Sequence, residues 1–410
     1  MNTISKSAIK TIVFWARRAL GIVLCLPASP RMDLSEGTFT FNSLGCQRTR
    51  VNLFSKAQIM NLMRPFFLLI LFLSAALPAV GAESKFTIAM VRGKVTASWI
   101  GTADTSGIDL APTDDEIAAL ASHSELEAIH ISGTTRFTGK GFAALKGLSK
   151  LRELSFGGTG PGQFSEMFPP GSLEGYHALA ELDQVTRLNL DHVMLPVEGA
   201  VILLKGMAGL EHAGLGVFAD DKIVAAAADA PKLKTLAFGH WATVPESPLT
   251  KSGAQAFAGL RSLESLHAGE QAPPAGGSMR DLTEAVAKIE TLKSLTLAFT
   301  SVKSHGKPKN PATAADLEPL AALANLEWLG IQHASLDRAA ASKLAEISSV
   351  KIVSFSAVKL DDGALVALKA LPNLAVVEIW NSCDWSDADL ESLKADKPKV
   401  RFHMVGGPKK

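Results

Sequence analysis

Cysteine is scarce in this chain, three in 410 residues, so a disulfide framework is excluded as the source of its stability. Charge of one sign is missing too. Lys and Arg number 41 against 40 Asp and Glu, without the basic excess that nucleic-acid binding draws on. No Gly-x-Ser-x-Gly, His-Glu-x-x-His, glycine-rich phosphate loop or paired-cysteine spacing occurs, which disfavours the enzyme classes those patterns mark. The apolar run from Phe66 to Leu77 falls short of the roughly 20 residues that a membrane helix needs. What remains is 47% hydrophobic and 20% charged, a composition that builds a large core and rules out disorder.

The short apolar run has the context of a signal peptide. Met60-Asn-Leu-Met-Arg64 supplies a basic start, and Val80 and Ala82 place small residues where a signal peptidase reads them. Residues 60–82 are therefore expected to be removed, with cleavage near Ala82 and a mature start at Glu83. The competing reading is an uncleaved anchor, against which no stop-transfer flank follows. Residues 1–59 then read as an N-terminal extension from a start site placed too early. A rival reading has Thr11–Pro27 touching a membrane, although Arg17 and Arg18 interrupt it. Removing residues 1–82 takes nine of the 41 basic and two of the 40 acidic residues, leaving 32 against 38, a net charge of about −6. Cys25 and Cys46 leave as well, so Cys383 stays alone and no internal disulfide is available. The expectation is a secreted or periplasmic protein, with no nucleic-acid partner and no stable membrane insertion of the mature chain.

Beyond residue 110 the sequence repeats itself. The pattern apolar-x-x-apolar-x-apolar begins at Leu126, Leu151, Val185, Leu233, Leu292, Leu326, Val350 and Leu374, with degenerate copies at Leu210 and Leu263. These ten copies span 248 residues in steps of 23 to 34, a mean near 28. Between them lie runs that are apolar at helical spacing, such as Gly141–Leu148 and Gly363–Leu371. Start signals precede several: Thr113-Asp-Asp-Glu116, Asp281-Leu-Thr-Glu284 and the weaker Ser386-Asp-Ala-Asp389. Each unit thus reads as strand, turn, helix and return. One unit alone leaves its apolar side open, whereas stacked units share a continuous core and pair their strands into one parallel sheet.

On these residues the chain resembles the leucine-rich-repeat family, specifically its bacterial secreted members, over residues 106–396. The resemblance implies an α/β solenoid, a horseshoe with a parallel concave sheet and short convex helices. Residues 83–110 are expected to form an N-terminal cap, 111–396 the repeat domain of about ten repeats, and 397–410 a C-terminal capping strand and tail. Phe86–Val91 and Val95–Ile100 around Arg92-Gly93-Lys94 read as a capping hairpin. One departure stands out. The Asn or Cys of the family pattern is replaced by Thr134, Thr159, Val193, Phe218, Trp241, Gln271, Thr300, Ala334, Val358 and Ser382, so the amide ladder that satisfies turn backbone groups is missing.

Residues flanking the inward leucines face the concave side, because side chains alternate along a strand. Most are small. Larger groups are Glu153, Arg187, Asn189, Asp191 and His212 in the N-terminal half, and Trp328, Gln332, Glu378 and Trp380 toward the other end, with Trp385 on the following turn. Glu153 and Arg187 share a strand position in successive repeats and are expected to pair. His130 and His267 sit five repeats apart, too far to share a metal; no metal site or cofactor is expected. Aromatic groups on a small-residue sheet suit a protein hot spot or a sugar platform. The ligand-binding candidates are therefore Trp328, Gln332, Glu378, Trp380 and Trp385. The functional expectation is a non-catalytic extracytoplasmic module whose concave face binds a protein partner. Two alternatives are a cell-surface polysaccharide binder that uses the C-terminal tryptophans, and an enzyme with a cryptic site in the insertions at 157–172, 239–252, 268–280 and 300–314.

Overall fold

The computed structural model describes residues 32–33, 38–39, 86–100, 112–132, 138–157, 165–166, 168, 172–190, 193–217, 219–238, 249–268, 274–299, 310–361, 363–380 and 383–405. The chain divides into two compact units, Met1–Glu83 and Ser84–Lys410. In the first, Met32–Asp33 pairs antiparallel with Thr38–Phe39. The run at 66–77 and the cleavage site lie outside the described residues, and among those residues no helix is long and apolar enough to cross a membrane.

A 13-stranded sheet organises the second unit, its strands following one another in sequence order. They are β1 (Thr87–Val91), β2 (Lys94–Ile100), β3 (Ala128–Ser132), β4 (Glu153–Gly157), β5 (Arg187–Asn189), β6 (His212–Leu215), β7 (Thr235–Phe238), β8 (Ser265–Ala268), β9 (Ser294–Ala298), β10 (Trp328–Gln332), β11 (Ile352–Ser356), β12 (Val376–Trp380) and β13 (Arg401–Val405). β1 runs antiparallel to β2. Every later neighbour is parallel, which demands a crossover in each repeat and places the helices on one face. The register aligns the second apolar position of each copy: Ile129 with Leu154, Leu154 with Leu188, Leu295 with Leu329, and Leu329 with Val353. These side chains are 0–1% exposed, and they join one continuous cluster from Ala97 to Val400. Parallel strands buried on one side by helices need this unbroken apolar row, and the repeat supplies it.

Short helices fill the crossovers: α1 (Asp114–Ala119), a 3₁₀ stretch at Lys140–Gly147, α2 (Glu174–Ala180), α3 (Val197–Gly206), α4 (Asp221–Ala228), α5 (Lys251–Ala256), α6 (Met279–Val286), α7 (Ala314–Leu317), α8 (Arg338–Leu344), α9 (Ala364–Ala367) and α10 (Asp387–Asp396). Thr113 and Glu116 form the expected capping box of α1. The box expected at Asp281–Glu284 is displaced: α6 starts three residues earlier, on Ser278 and Asp281. At the last helix Ser386 caps the amide of Asp389, while the Asp389 carboxylate accepts instead from the Gly363 amide of the preceding repeat. Carboxylates link neighbouring repeats elsewhere as well. Asp114 accepts from Thr138 N, Gly139 N and Gly141 N at 3.0, 2.9 and 3.1 Å, and Asp221 accepts from Thr250 N at 2.8 Å. Asp114 and Asp221 thereby satisfy open amides that begin the next crossover, and Asp389 one that begins the preceding crossover.

Seven of the ten residues at the expected amide-ladder position lie outside the described residues; Val193, Ala334 and Val358 are described and buried. Two devices replace the ladder. Ser335–Leu336 pairs in parallel with Lys359–Leu360, and single bridges extend this to Pro311 and Asp384, so the returning turns satisfy one another's backbone. Cys383 supplies the second device. Its Sγ accepts from Val358 N at 3.5 Å and donates to the Phe355 carbonyl at 3.2 Å. The final copy therefore places a thiol at its turn, one residue beyond Ser382.

A rim of alternating charge runs where the strands begin. Glu211 pairs with Lys234, Glu264 with Lys293 and Glu327 with Lys351, each at 2.7 Å. All six belong to one position of the repeat, immediately before the strand, and acid alternates with base from copy to copy. Their backbone carbonyls each accept two amides of the next repeat, as Glu211 O does from Lys234 N and Thr235 N at 2.8 and 3.0 Å.

Candidate functional site

The strand register sorts the side chains facing away from the core into three rows. One row places Glu153, Arg187, His212, Thr235, Ser265, Ser294, Trp328, Ile352 and Val376 side by side. A central row runs through Asn189, Gly214, Ala237, His267, Thr296, Gly330, Ser354, Glu378 and His403. The third holds Ala298, Gln332 and Ser356, with Trp380 beside Ser356 because Phe355 pairs with Ile379.

At the C-terminal end these rows gather four of the five candidates. Trp380 is 43% exposed. Trp328 is half-buried, and its ring lies over Gly330, where an added Cβ would stand 2.5 Å from the ring's Cη2. Glycine at 330 is thus what lets the indole lie flat on the sheet. One strand separates β10 from β12, so the two tryptophans are about 10 Å apart across the sheet and about 13 Å along it. Gly330, Ser354 and Ser356 form a low floor between them, with Gln332 and Glu378 on its polar side, both half-buried. Ile352, beside Trp328 in register, adds apolar surface that an inventory of conspicuous residues overlooks; its strand position was the available signal.

Trp385 does not belong to this surface. It is 6% exposed and packs in the core, with Nε1 donating to Asp387 Oδ1 at 3.1 Å. The indole is thus part of the core cluster and not of the concave face.

The N-terminal half carries a second polar group. Glu153 pairs with Lys94 Nζ at 2.6 Å and contacts His130 Nε2 at 3.4 Å, rather than pairing with Arg187 as their shared strand position suggests. Lys94 comes from the hairpin cap, which the repeat pattern does not place. Burial pushes the Glu153 carboxyl up, but the bond and charge of Lys94 and then the charge of His130 outweigh it, so the group sits below the usual glutamate range. Burial, then the charge of Arg187, holds His212 below the ordinary histidine value, and its Nδ1 lies 2.9 Å from Thr235 Oγ1. Among the described residues no group of three or more His, Cys, Asp and Glu side chains converges as metal ligands would. Most of the four insertions fall outside the described residues.

Register, buried apolar rows and crossover helices define the class: an α/β solenoid of the leucine-rich-repeat type, with a parallel concave sheet and short helices on the convex side. Among solved structures, the chain is similar to the internalin inlF of Listeria monocytogenes, at 18% identity over 71% of this chain and 77% of that one, with a TM-score of 0.38. It is also similar to the internalin C2 of the same organism, at 20% identity over 52% of this chain and 80% of that one, with a TM-score of 0.33. No family model matches the chain, and no curated protein is similar to it. The class rests on the chain's own register and not on these likenesses.

Proposed function

We propose that the chain is a non-catalytic, extracytoplasmic binding module whose C-terminal concave patch holds a protein partner. The observation that carries this reading is Trp380, 43% exposed beside the low floor of Gly330, Ser354 and Ser356, with Trp328 over Gly330 two strands away. Burying indoles of this kind at the centre of an interface is a common source of binding energy. The breadth and shallowness of the patch suit a partner surface better than an enclosed small molecule. Export is supported by the signal-like sequence at 60–82 and by a compact unit that begins at Ser84.

The test compares retention of envelope protein extracts with binding to arrayed cell-wall glycans. The double variant Trp328→Ala, Trp380→Ala is expected to weaken protein capture by about thirtyfold or more, since loss of one hot-spot aromatic costs about 2 kcal/mol. Changing His130 and His267 to Ala is expected to leave capture intact. Binding that persists in the tryptophan double variant, or that appears for glycans alone, would remove the reading. Circular dichroism and melting of both variants control for folding.

A further inference from the structure

Among the described residues three large hydrophobic side chains stand exposed: Met90 at 69%, Trp380 at 43% and Val91 at 37%. Two of them lie on β1, far from the tryptophan patch in sheet order. Among the described residues β1 is the terminal strand of the 13-stranded sheet, paired with β2 on its inner side and with no strand on its outer side. Proteins normally guard such an edge with proline, an inward charge or a bulge. Thr87-Ile-Ala-Met-Val91 contains no proline and no charge, and its pairing runs unbroken from Thr87 with Ser98 to Val91 with Lys94, so no bulge interrupts it. The opposite edge is different: β13 carries exposed Arg401 and His403.

We infer that β1 is a self-pairing edge, through which two copies of this chain join antiparallel across a two-fold axis at Ala89. The hairpin fixes which atoms are available. Arg92 and Gly93 have φ values of 49° and 78°, the signature of a two-residue turn that closes on a hydrogen-bonded pair, here Val91 with Lys94. Thr87, Ala89 and Val91 then direct their amides and carbonyls to β2, while Ile88 and Met90 direct theirs outward. A second β1 centred on Ala89 sets Ile88 against Met90 of the other copy, so both outward pairs find partners in register. Thr87 falls against Val91, and Ala89 against itself. No two like charges oppose each other, and apolar side chains meet on the face that Met90 leaves uncovered. The contact is isologous and closes at a dimer, whereas a head-to-tail contact would require the charged β13 edge. The concave patch takes no part, so this inference stands or falls apart from the binding function.

Sedimentation velocity of the full chain between about 1 and 100 µM, a range that brackets a modest affinity, is expected to show the mass doubling. Met90→Pro removes only an outward amide and is expected to give a monomer with an unchanged melting temperature. Antiparallel residues that do not share hydrogen bonds lie about 4.5 Å apart at Cα, within disulfide range. Ala89→Cys is therefore expected to crosslink the dimer on oxidation, while the unmodified chain with its own cysteines does not link. Thr87→Cys is the register control, because its two copies would lie about 14 Å apart. A chain that stays monomeric to 100 µM without an Ala89→Cys link overturns the inference, as does a dimer that survives Met90→Pro or a Thr87→Cys link of equal yield. Dimers formed by a chain starting at Glu83 but not by the full chain would assign the edge to the preceding segment and equally overturn it.

Discussion

Leu329 lies fully buried between Leu295 and Val353 of the neighbouring strands. Removing its isobutyl group leaves a cavity that flanking repeats close only in part, so Leu329→Ala is expected to cost about 2 to 5 kcal/mol. Lys351 stands at the rim, its side chain 52% exposed and paired only with Glu327, and Lys351→Ala is expected to change stability by less than about 1 kcal/mol. Denaturant midpoints of the two variants decide the matter; equal effects would mean that the strand phase is wrong. The leucine rows could be read directly because the repeat states its period ten times. Single residues at the ends were harder. Trp385 follows Trp380 by five residues and looks equally exposed in the sequence, but its side chain packs in the core. Cys383 sits one place beyond its expected position because the turn after β12 is longer. His333 and Ala357 adopt left-handed φ values of 49° and 51° at equivalent turn positions, a conformation that favours glycine and that neither residue announces.

The helices are short, four to ten residues, so their start signals carry much of what fixes them. Ser278-Met-Arg-Asp281 and Asp281-Leu-Thr-Glu284 overlap, and each satisfies the spacing of a capping box. The earlier start prevails because it brings Met279 into the stripe with Leu282, Thr283, Ala285 and Val286, all buried. As a result Asp281 caps the helix and also pairs with Lys251 at 2.9 Å. The Lys251 bond, followed by those to Ser278, holds its carboxyl at about 2, against an ordinary value of 3.8. A carboxyl that is more acidic folded than unfolded contributes stability above the ordinary value and loses it as pH falls through the folded one. Melting of the wild type should therefore drop between about pH 4 and pH 2. Asp281→Asn is expected to melt lower at pH 7 and to show a flatter decline over that acid interval. An equally steep decline in the variant would place the acid sensitivity in other groups, such as Glu153 or Asp114, whose carboxyls are also held low.

For the molecule as a whole, the solenoid class was readable from the period alone, whereas the capping hairpin's contribution of Lys94 to the concave face was not, since that contact joins residues 59 positions apart. Export is a whole-chain property with a direct measurement. N-terminal sequencing of secreted material is expected to begin at Glu83, and a product that retains residues 1–59 would defeat both the cleavage and the late start. The rim of Glu211, Lys234, Glu264, Lys293, Glu327 and Lys351 gives the array a parity. Excising one repeat, residues 263–291, would bring Lys234 beside Lys293 and leave two like charges as neighbours. Excising two, residues 233–291, would restore an acid beside a base, Glu211 with Lys293. Each such contact is small, about 0 to 1 kcal/mol, and weakens with salt. The single excision should thus be stabilised by added salt, which screens the Lys234–Lys293 contact, whereas the double excision should not; the difference should level off toward 1 M, where the Debye length shrinks to about 3 Å. A solenoid wired in this way lengthens or shortens most smoothly by pairs of repeats, so its charge pattern makes the two-repeat block, rather than the single repeat, the natural unit of growth.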